Sequence, residues 1–115
     1  MKIGHIELFV KDPLVSKEFY ESVLGFEVVS VQGSDFVWVR SGEMEILLRK
    51  GQPSQSSAYE SSDHAIVLYT DDLKATQQHL SVHGLQCQLM PDSEKCLTFT
   101  DPDGHWYQLV DPNDM

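Results

Sequence analysis

Hydrophobic and polar residues alternate at the start of the chain, and this alternation predicts a strand over residues 3–10. It places Ile6, Leu8 and Val10 on one face and His5, Glu7 and Phe9 on the other. A period of two is typical of a strand with one face against a core and one face turned away. The apolar set is therefore expected to pack inside, and the face that holds His5 is expected to be available for chemistry.

An amphipathic helix is predicted to follow this strand. Asp12 can cap it, Pro13 suits its first position and Gly25 can end it. Its expected apolar stripe is Val15, Phe19 and Val23, which are spaced by four residues. Three extended segments then complete a β-α-β-β-β module, at residues 26–32, 36–40 and 44–50.

The same order of elements recurs in the second half of the chain. A displacement of 59 residues brings His5 onto His64 and Gly25 onto Gly84. A strand over 64–69 precedes a helix that is capped by Asp71 or Asp72 and carries Leu73, Thr76 and Leu80. Three more strands are predicted at 85–89, 96–100 and 106–110, with a turn at Pro91–Asp92.

The repeat determines the predicted fold class and domain organisation. A unit of about this length is too small to bury its apolar face alone, so both modules are expected to pack into one domain over residues 1–115. The first module covers 1–50, a Ser- and Gln-rich connector covers 51–63, and the second module covers 64–115. The fold is predicted to be α+β, with eight strands that line a cavity and two outer helices.

Composition narrows the function classes. The chain has 8 basic and 18 acidic residues and a formal net charge of −10, which argues against nucleic acid as a partner. No apolar stretch approaches a membrane span, and no signal peptide is recognisable, so a cytoplasmic protein is expected. Cys87 and Cys96 are predicted to be reduced, buried side chains, and His79, His83 and His105 are expected at the surface.

Several segments together resemble the vicinal oxygen chelate superfamily, which includes glyoxalase I, bleomycin-resistance proteins and extradiol dioxygenases. They are Gly25-Phe26 after the Phe19-Tyr20 helix, the His64 strand and, above all, Asp-Pro-Asp-Gly-His-Trp-Tyr-Gln-Leu-Val at 101–110. The resemblance spans nearly the whole chain. It implies paired βαβββ modules around a cavity, usually in a homodimer, and in the enzymes a divalent ion inside that cavity.

The resemblance also implies which residues would hold such an ion. Its ligand positions, on the first and fourth strand of each module, correspond to His5, Glu45, His64 and Gln108. Strand alternation agrees for Glu45, because Met44, Ile46 and Leu48 form the apolar stripe on the other face. Two imidazoles, a carboxylate and an amide oxygen suit zinc, nickel, cobalt, iron or manganese.

Gln108 departs from the glutamate that the family most often carries at this position. A neutral amide ligates more weakly than a carboxylate and cannot act as a base. The substitution also counts against the extradiol dioxygenases, which need that carboxylate in their facial triad, unless Glu45 replaces it.

Two functions of different classes remain open. The first is a metal-dependent lyase or isomerase that acts on a small substrate with vicinal oxygens; Glu45 would be ligand and base, and Glu7 is the second candidate base. The second is a non-catalytic binding protein that resembles bleomycin-resistance proteins. In either case Trp106, on the strand face of Gln108, is a candidate substrate contact. The residues do not identify the substrate.

Overall fold

The fold is described from a computed structural model over residues 1–90 and 93–114, so the turn predicted at Pro91–Asp92 lies outside the described residues. The chain divides into two compact units, Met1–Ser54 and Gln55–Met115, and the division falls within the predicted connector. Across the described residues, no helix combines the length and apolar character needed to span a membrane. That both units form one domain stays a prediction.

The first unit contains the predicted β-α-β-β-β order. Its elements are β1 (Ile6–Val10), α1 (Pro13–Glu18) with a π-helical turn (Phe19–Val23), β2 (Glu27–Gln32), β3 (Phe36–Ser41) and β4 (Met44–Lys50). The sheet order is β1-β4-β3-β2, in which β1 pairs parallel to β4 and the other pairs are antiparallel. The module prediction is confirmed for this unit, with strand boundaries that differ by up to three residues.

The second unit repeats this topology. It contains β5 (Ile66–Tyr69), α2 (Leu73–Val82), β6 (Gln88–Met90), β7 (Ser93–Thr100) and β8 (Trp106–Val110), in the sheet order β5-β8-β7-β6. Short 3-10 turns occupy Tyr59–Ser61 and Pro112–Asp114. The α+β class with two four-stranded mixed sheets is therefore confirmed. The strand predicted at 85–89 was misplaced, because pairing with β7 begins only at Gln88.

The predicted apolar stripe of the first helix is wrong at Val15, which is 57% exposed, while Phe19 and Val23 are half-buried. The buried residues are instead Pro13 and Ser16 of α1, which packs on β3 and β4, and Tyr20 of the π turn. The compact side chains of Pro13 and Ser16 let α1 lie close to the sheet. The ring of Tyr20 contacts the ring of Phe26, with 5.8 Å between the ring centroids. Close packing of the helix on the sheet therefore decides which side of the helix is buried, and the spacing of its apolar residues by four does not.

The two modules differ by one residue within their helices. The capping residues Asp12 and Asp72 are 60 positions apart, whereas Gly25 and Gly84, which have positive φ after the helices, are 59 apart. The first helix therefore holds one extra residue, and its last turn is π-helical over Phe19–Val23. A π turn accommodates an inserted residue because its hydrogen bonds span five residues instead of four.

Asp72, and not Asp71, caps α2, since its carboxylate accepts the Ala75 backbone N–H at 3.0 Å. Asp72→Ala is expected to lower the free energy of unfolding by about 1 kcal/mol through loss of this cap. Asp71→Ala removes the same charge without removing the cap, so it should cost less than about 0.5 kcal/mol. Urea unfolding followed by circular dichroism compares the two variants, and equal losses would contradict the assignment.

Candidate functional site

The first unit carries an apolar face and a mixed face on the same sheet. Leu8, Val10, Ile46 and Leu48 are buried on the apolar face. The mixed face consists of three rows that the strand register places side by side. These rows are Glu27–Arg40–Glu45, Ser30–Trp38–Leu47–Glu7 and Gln32–Phe36–Arg49–Phe9. The predicted alternation around Glu45 agrees with this arrangement.

His5 lies directly before β1 and is joined to Glu7 and Arg49 by a chain of polar contacts. The Nε2 atom of His5 lies 2.9 Å from Glu7 Oε2, and Arg49 Nη1 donates to Glu7 Oε1 at 2.9 Å. The hydrogen bonds from His5 and Arg49 hold the pKa of the Glu7 carboxyl below its ordinary value. The His5 ring also meets the Trp38 ring edge-on at 4.8 Å between centroids. Glu7 is thus kept ionised and shared between two cationic groups when His5 is protonated.

Glu45 is likewise engaged by a neighbouring charge. Arg40 lies between two carboxylates: it donates to Glu27 Oε2 at 3.0 Å, and its Nη1 atom is 3.7 Å from Glu45 Oε2. The Glu45 side chain is 38% exposed, so the pair lies at a hydrated surface where its energetic value is small. Glu45 therefore faces the mixed side of the sheet, as predicted, but as the partner of an arginine.

Gln108, in β8 of the second unit, has both ends of its side chain occupied. Tyr59 Oη donates to Gln108 Oε1 at 3.2 Å, and Gln108 Nε2 lies 3.2 Å from the Met90 thioether sulfur. The amide oxygen that the metal hypothesis requires as a ligand thus already accepts a hydrogen bond. Burial, with a smaller contribution from Cys96, raises the pKa of Tyr59, so its hydroxyl stays protonated as the donor at neutral pH.

The connector folds onto β8 within the second unit. Trp106, which is 8% exposed, donates its indole N–H to the Ser56 carbonyl at 3.0 Å, and the Tyr59 ring meets its edge at 6.0 Å. A Cβ atom at Gly104 would lie 2.7 Å from the side chain of Gln55, so this close approach needs a glycine. Trp106 therefore has a structural contact with the connector, and a substrate contact for it stays a prediction.

His64 lies outside the strand in which it was predicted. β5 begins at Ile66, and its register pairs Val67 with Gln108. Counting back from Val67 by twos gives Ala65, which also corresponds to His5 under the 60-residue displacement of the capping residues. The resemblance thus matched the two histidines by sequence, whereas the displacement of the capping residues matches His5 to Ala65. The role of His64 stays a prediction.

A small cavity opens on the sheet of the second unit. Its volume is about 140 Å³, and its walls are residues 57–60 of the connector, the strand Gln88–Met90 and Thr98 of β7. Met90, Leu89 and the Tyr59 ring give it apolar surface, while Gln88 and Thr98 contribute polar groups. The arrangement suits a small molecule that has both an apolar body and hydrogen-bonding atoms.

Two of the predicted metal ligands already contact charged side chains within the first unit: His5 contacts Glu7, and Glu45 contacts Arg40. A metal site formed by His5, Glu45, His64 and Gln108 stays a prediction. Gln108 offers only a neutral oxygen that Tyr59 already binds. Over residues 1–90 and 93–114, no three His, Cys, Asp or Glu side chains are grouped closely enough to hold a metal ion.

Sequence reasoning missed two polar arrangements and misjudged the cysteines. The hydrogen bond of Tyr59 to Gln108 was missed because Tyr59 lies in a connector without apolar periodicity. The one signal available in the sequence was an aromatic residue among serines. His105 was expected at the surface, but its Nδ1 atom lies 2.7 Å from the buried carboxylate of Asp101, and its side chain is only 13% exposed. Cys87 and Cys96 are free thiols but only half-buried, and burial raises the pKa of Cys87.

Comparison with known proteins identifies similar sequences and structures. The profile of the "Glyoxalase/Bleomycin resistance protein/Dioxygenase superfamily" matches residues 2–109. No match was found among curated protein sequences.

Three solved structures illustrate the similarity in fold. The first is the lactoylglutathione lyase of Agrobacterium tumefaciens, with 18% identity, 96% and 93% of the two chains covered and a TM-score of 0.74. A mutant fosfomycin resistance protein FosX of Listeria monocytogenes, complexed with Mn(II) and 1S,2S-dihydroxypropylphosphonic acid, has 19% identity, 95% and 88% coverage and a TM-score of 0.76. A protein from the mobile metagenome of V. Pseudocholerae has 25% identity, 95% coverage of each chain and a TM-score of 0.71.

Proposed function

The chain belongs to the glyoxalase/bleomycin resistance protein/dioxygenase superfamily, and on that premise we propose that it is a small-molecule binding protein that works without a four-ligand metal centre. The observation that carries the proposal is the state of Gln108. Its amide oxygen accepts the Tyr59 hydroxyl and its amide nitrogen contacts Met90, so both polar ends are used inside the protein. A neutral amide oxygen that already accepts one hydrogen bond keeps one lone pair, and it is a weaker ligand for a divalent ion than a carboxylate.

The surroundings of Gln108 support binding over chemistry. Tyr59 and Met90, its two partners, both line the 140 Å³ cavity, which combines apolar walls with amide and hydroxyl groups. Among the described lining residues the one ionisable group besides Tyr59 is Glu60. A cavity of this kind offers selective contacts for a ligand but few groups to move protons. A homodimer, as the family resemblance implies, stays a prediction.

A second candidate, the metal-dependent lyase or isomerase, is favoured by a different observation. His5 is two residues before Glu7 in the alternation of β1, and Glu7 and Glu45 lie on the same mixed face of the first sheet. A divalent ion in this superfamily, such as the Mn(II) bound by FosX, would supply Lewis acidity at vicinal oxygens. In that case Glu45, or Glu7 on the same face, would take the proton from the carbon next to the substrate carbonyl.

Metal retention separates the two candidates. Untagged protein, purified without chelator and dialysed against Mn²⁺ or Zn²⁺, is expected to hold far less than one ion per chain by mass spectrometry of the metal. Glu45→Gln should leave that content unchanged, because Glu45 is engaged by Arg40. The control is Glu43→Gln, which removes the same charge two residues earlier, at an exposed position. Near-stoichiometric metal that His5→Ala and Glu45→Gln abolish, and Glu43→Gln retains, would establish the second candidate instead.

A further inference from the structure

A row of neutral polar side chains crosses the sheet at the cavity of the second unit, and two of its members, Gln88 and Thr98, line the cavity. The strand register places Gln88 opposite Thr98 and Thr98 opposite Gln108, so an amide, a hydroxyl and an amide follow one another across β6, β7 and β8. Side chains that are directly opposite in a sheet lie on one face and within reach of a single ligand. Tyr59, from the connector, joins this row through its hydrogen bond to Gln108.

The row keeps unused hydrogen-bonding capacity that faces the cavity. Tyr59 Oη uses its proton on Gln108, which leaves its oxygen lone pairs as acceptors. Gln88 is an exposed residue at the cavity wall, and its side-chain amide has no hydrogen bond to another described residue, so it offers a ligand both a donor and an acceptor. A ligand that presents a carbonyl oxygen beside an N–H group would satisfy both residues at once.

The charge around the cavity selects against an anionic ligand. Glu60 carries the one formal charge at neutral pH among the described lining residues, and the whole chain has a net charge of −10. An anion would lose its hydration without gaining a cationic partner, which is costly. The volume, about 140 Å³, is well below the roughly 300 Å³ at which pockets for drug-sized ligands begin. The cavity is therefore matched to a single ring with one polar substituent.

We propose that this cavity binds a small planar carboxamide, whose amide group pairs with Gln88 and Tyr59 and whose ring lies against Met90. The proposal rests on the proposed binding function and specifies its ligand class. Thr98 completes the polar wall: it is 3% exposed, and its hydroxyl reaches the Gln88 carbonyl at 3.4 Å. The thioether of Met90 adds a polarizable surface that suits an aromatic ring.

The test uses three probes of one shape and three charges: benzamide, benzoate and benzamidine. Titration of the ¹⁵N-labelled full chain, followed by amide chemical shifts, is expected to show saturable shifts at residues 57–60 and 88–90 with benzamide. Benzoate should cause none, and benzamidine should bind more weakly because it lacks the carbonyl acceptor. Tyr59→Phe should weaken benzamide about threefold to tenfold, as expected for one lost hydrogen bond. Thr98→Val should weaken it less, because it removes the hydroxyl that donates to the Gln88 carbonyl and so helps to position Gln88. Thr100→Val makes the same change two residues along β7, outside the cavity walls, and should have no effect.

Each contrary outcome identifies what has failed. Tighter binding of benzamidine or benzoate than of benzamide, still sensitive to Thr98→Val, would overturn the carboxamide class and leave the binding function standing. Benzamide shifts that are equal in Thr98→Val and Thr100→Val, or no benzamide shifts at all, would overturn the cavity as its site. Metal that depends on His5 and Glu45 would overturn the proposed function, and it is measured on residues that do not line this cavity.

Discussion

Asp101→Ala is expected to lower the free energy of unfolding by about 3 kcal/mol, because it leaves buried donors without partners. The Asp101 side chain is fully buried. Its Oδ1 atom accepts the backbone N–H groups of Asp103 at 3.0 Å and His105 at 2.9 Å, and its Oδ2 atom meets the His105 ring at 2.7 Å. Urea unfolding of wild type and variant, extrapolated to water, gives the difference directly.

Two controls distinguish the buried carboxylate from a general charge effect. Asp111→Ala removes a carboxylate that accepts one backbone N–H at the protein surface, from Asn113, and should cost less than about 1 kcal/mol. His105→Ala should cost less than Asp101→Ala, because both backbone hydrogen bonds to Asp101 remain. A loss for Asp101→Ala no larger than that for Asp111→Ala would show that the turn does not depend on this carboxylate.

The same carboxylate explains why the last strand could be predicted to the residue. Asp101 organises the turn through local hydrogen bonds, and Gly104 completes it with a φ of +87° that other residues rarely adopt. Because a local motif fixes where the chain leaves the turn, the register of β8 follows, and Trp106 begins the strand as predicted. The position of this turn, and so the start of β8, depends on neighbouring residues alone and can be predicted without knowledge of the fold.

The alternation of apolar and polar residues was enough to predict the sheet face on which Glu45 lies, since Ile46 and Leu48 are buried on the opposite face. For His64, the predicted strand began two residues too early: β5 starts at Ile66, and the histidine lies before it. The 59-residue displacement matched the histidines, but the capping residues Asp12 and Asp72, and the starts of β1 and β5 at Ile6 and Ile66, are displaced by 60. The extra residue is absorbed in the π-helical turn, which the hydrophobic pattern could not reveal.

The contacts of Gln108 could not be predicted, because they depend on a segment without periodicity. Tyr59 and Ser56 reach β8 through a hydroxyl and a carbonyl, separated from it in sequence by about fifty residues. Such long-range polar pairs leave no local signal in the composition of the connector. The candidate ligand was therefore recognisable by its position in a motif, whereas its hydrogen-bond partners were not.

The two units are expected to unfold together, because the repeat suggests that neither module is stable alone. Each unit contains one tryptophan, Trp38 in the first and Trp106 in the second, so Trp106→Phe and Trp38→Phe each leave a single fluorescent reporter. If neither module can bury its apolar face alone, both reporters should give the same urea midpoint. Noncoincident transitions in the two single-tryptophan proteins would mean that the modules are separate domains.

Core truncations make this test quantitative. Leu48 is completely buried in the first unit and Leu109 is 2% exposed in the second, so Leu48→Ala and Leu109→Ala should each cost about 3 kcal/mol. Leu14→Ala, at a position 41% exposed on the first helix, is the matched control and should cost less than about 1 kcal/mol. In a single cooperative domain, Leu48→Ala lowers the midpoint reported by Trp106 as much as that reported by Trp38. A shift confined to Trp38 would contradict one domain, because the lost contacts would then destabilise only the unit that contains them.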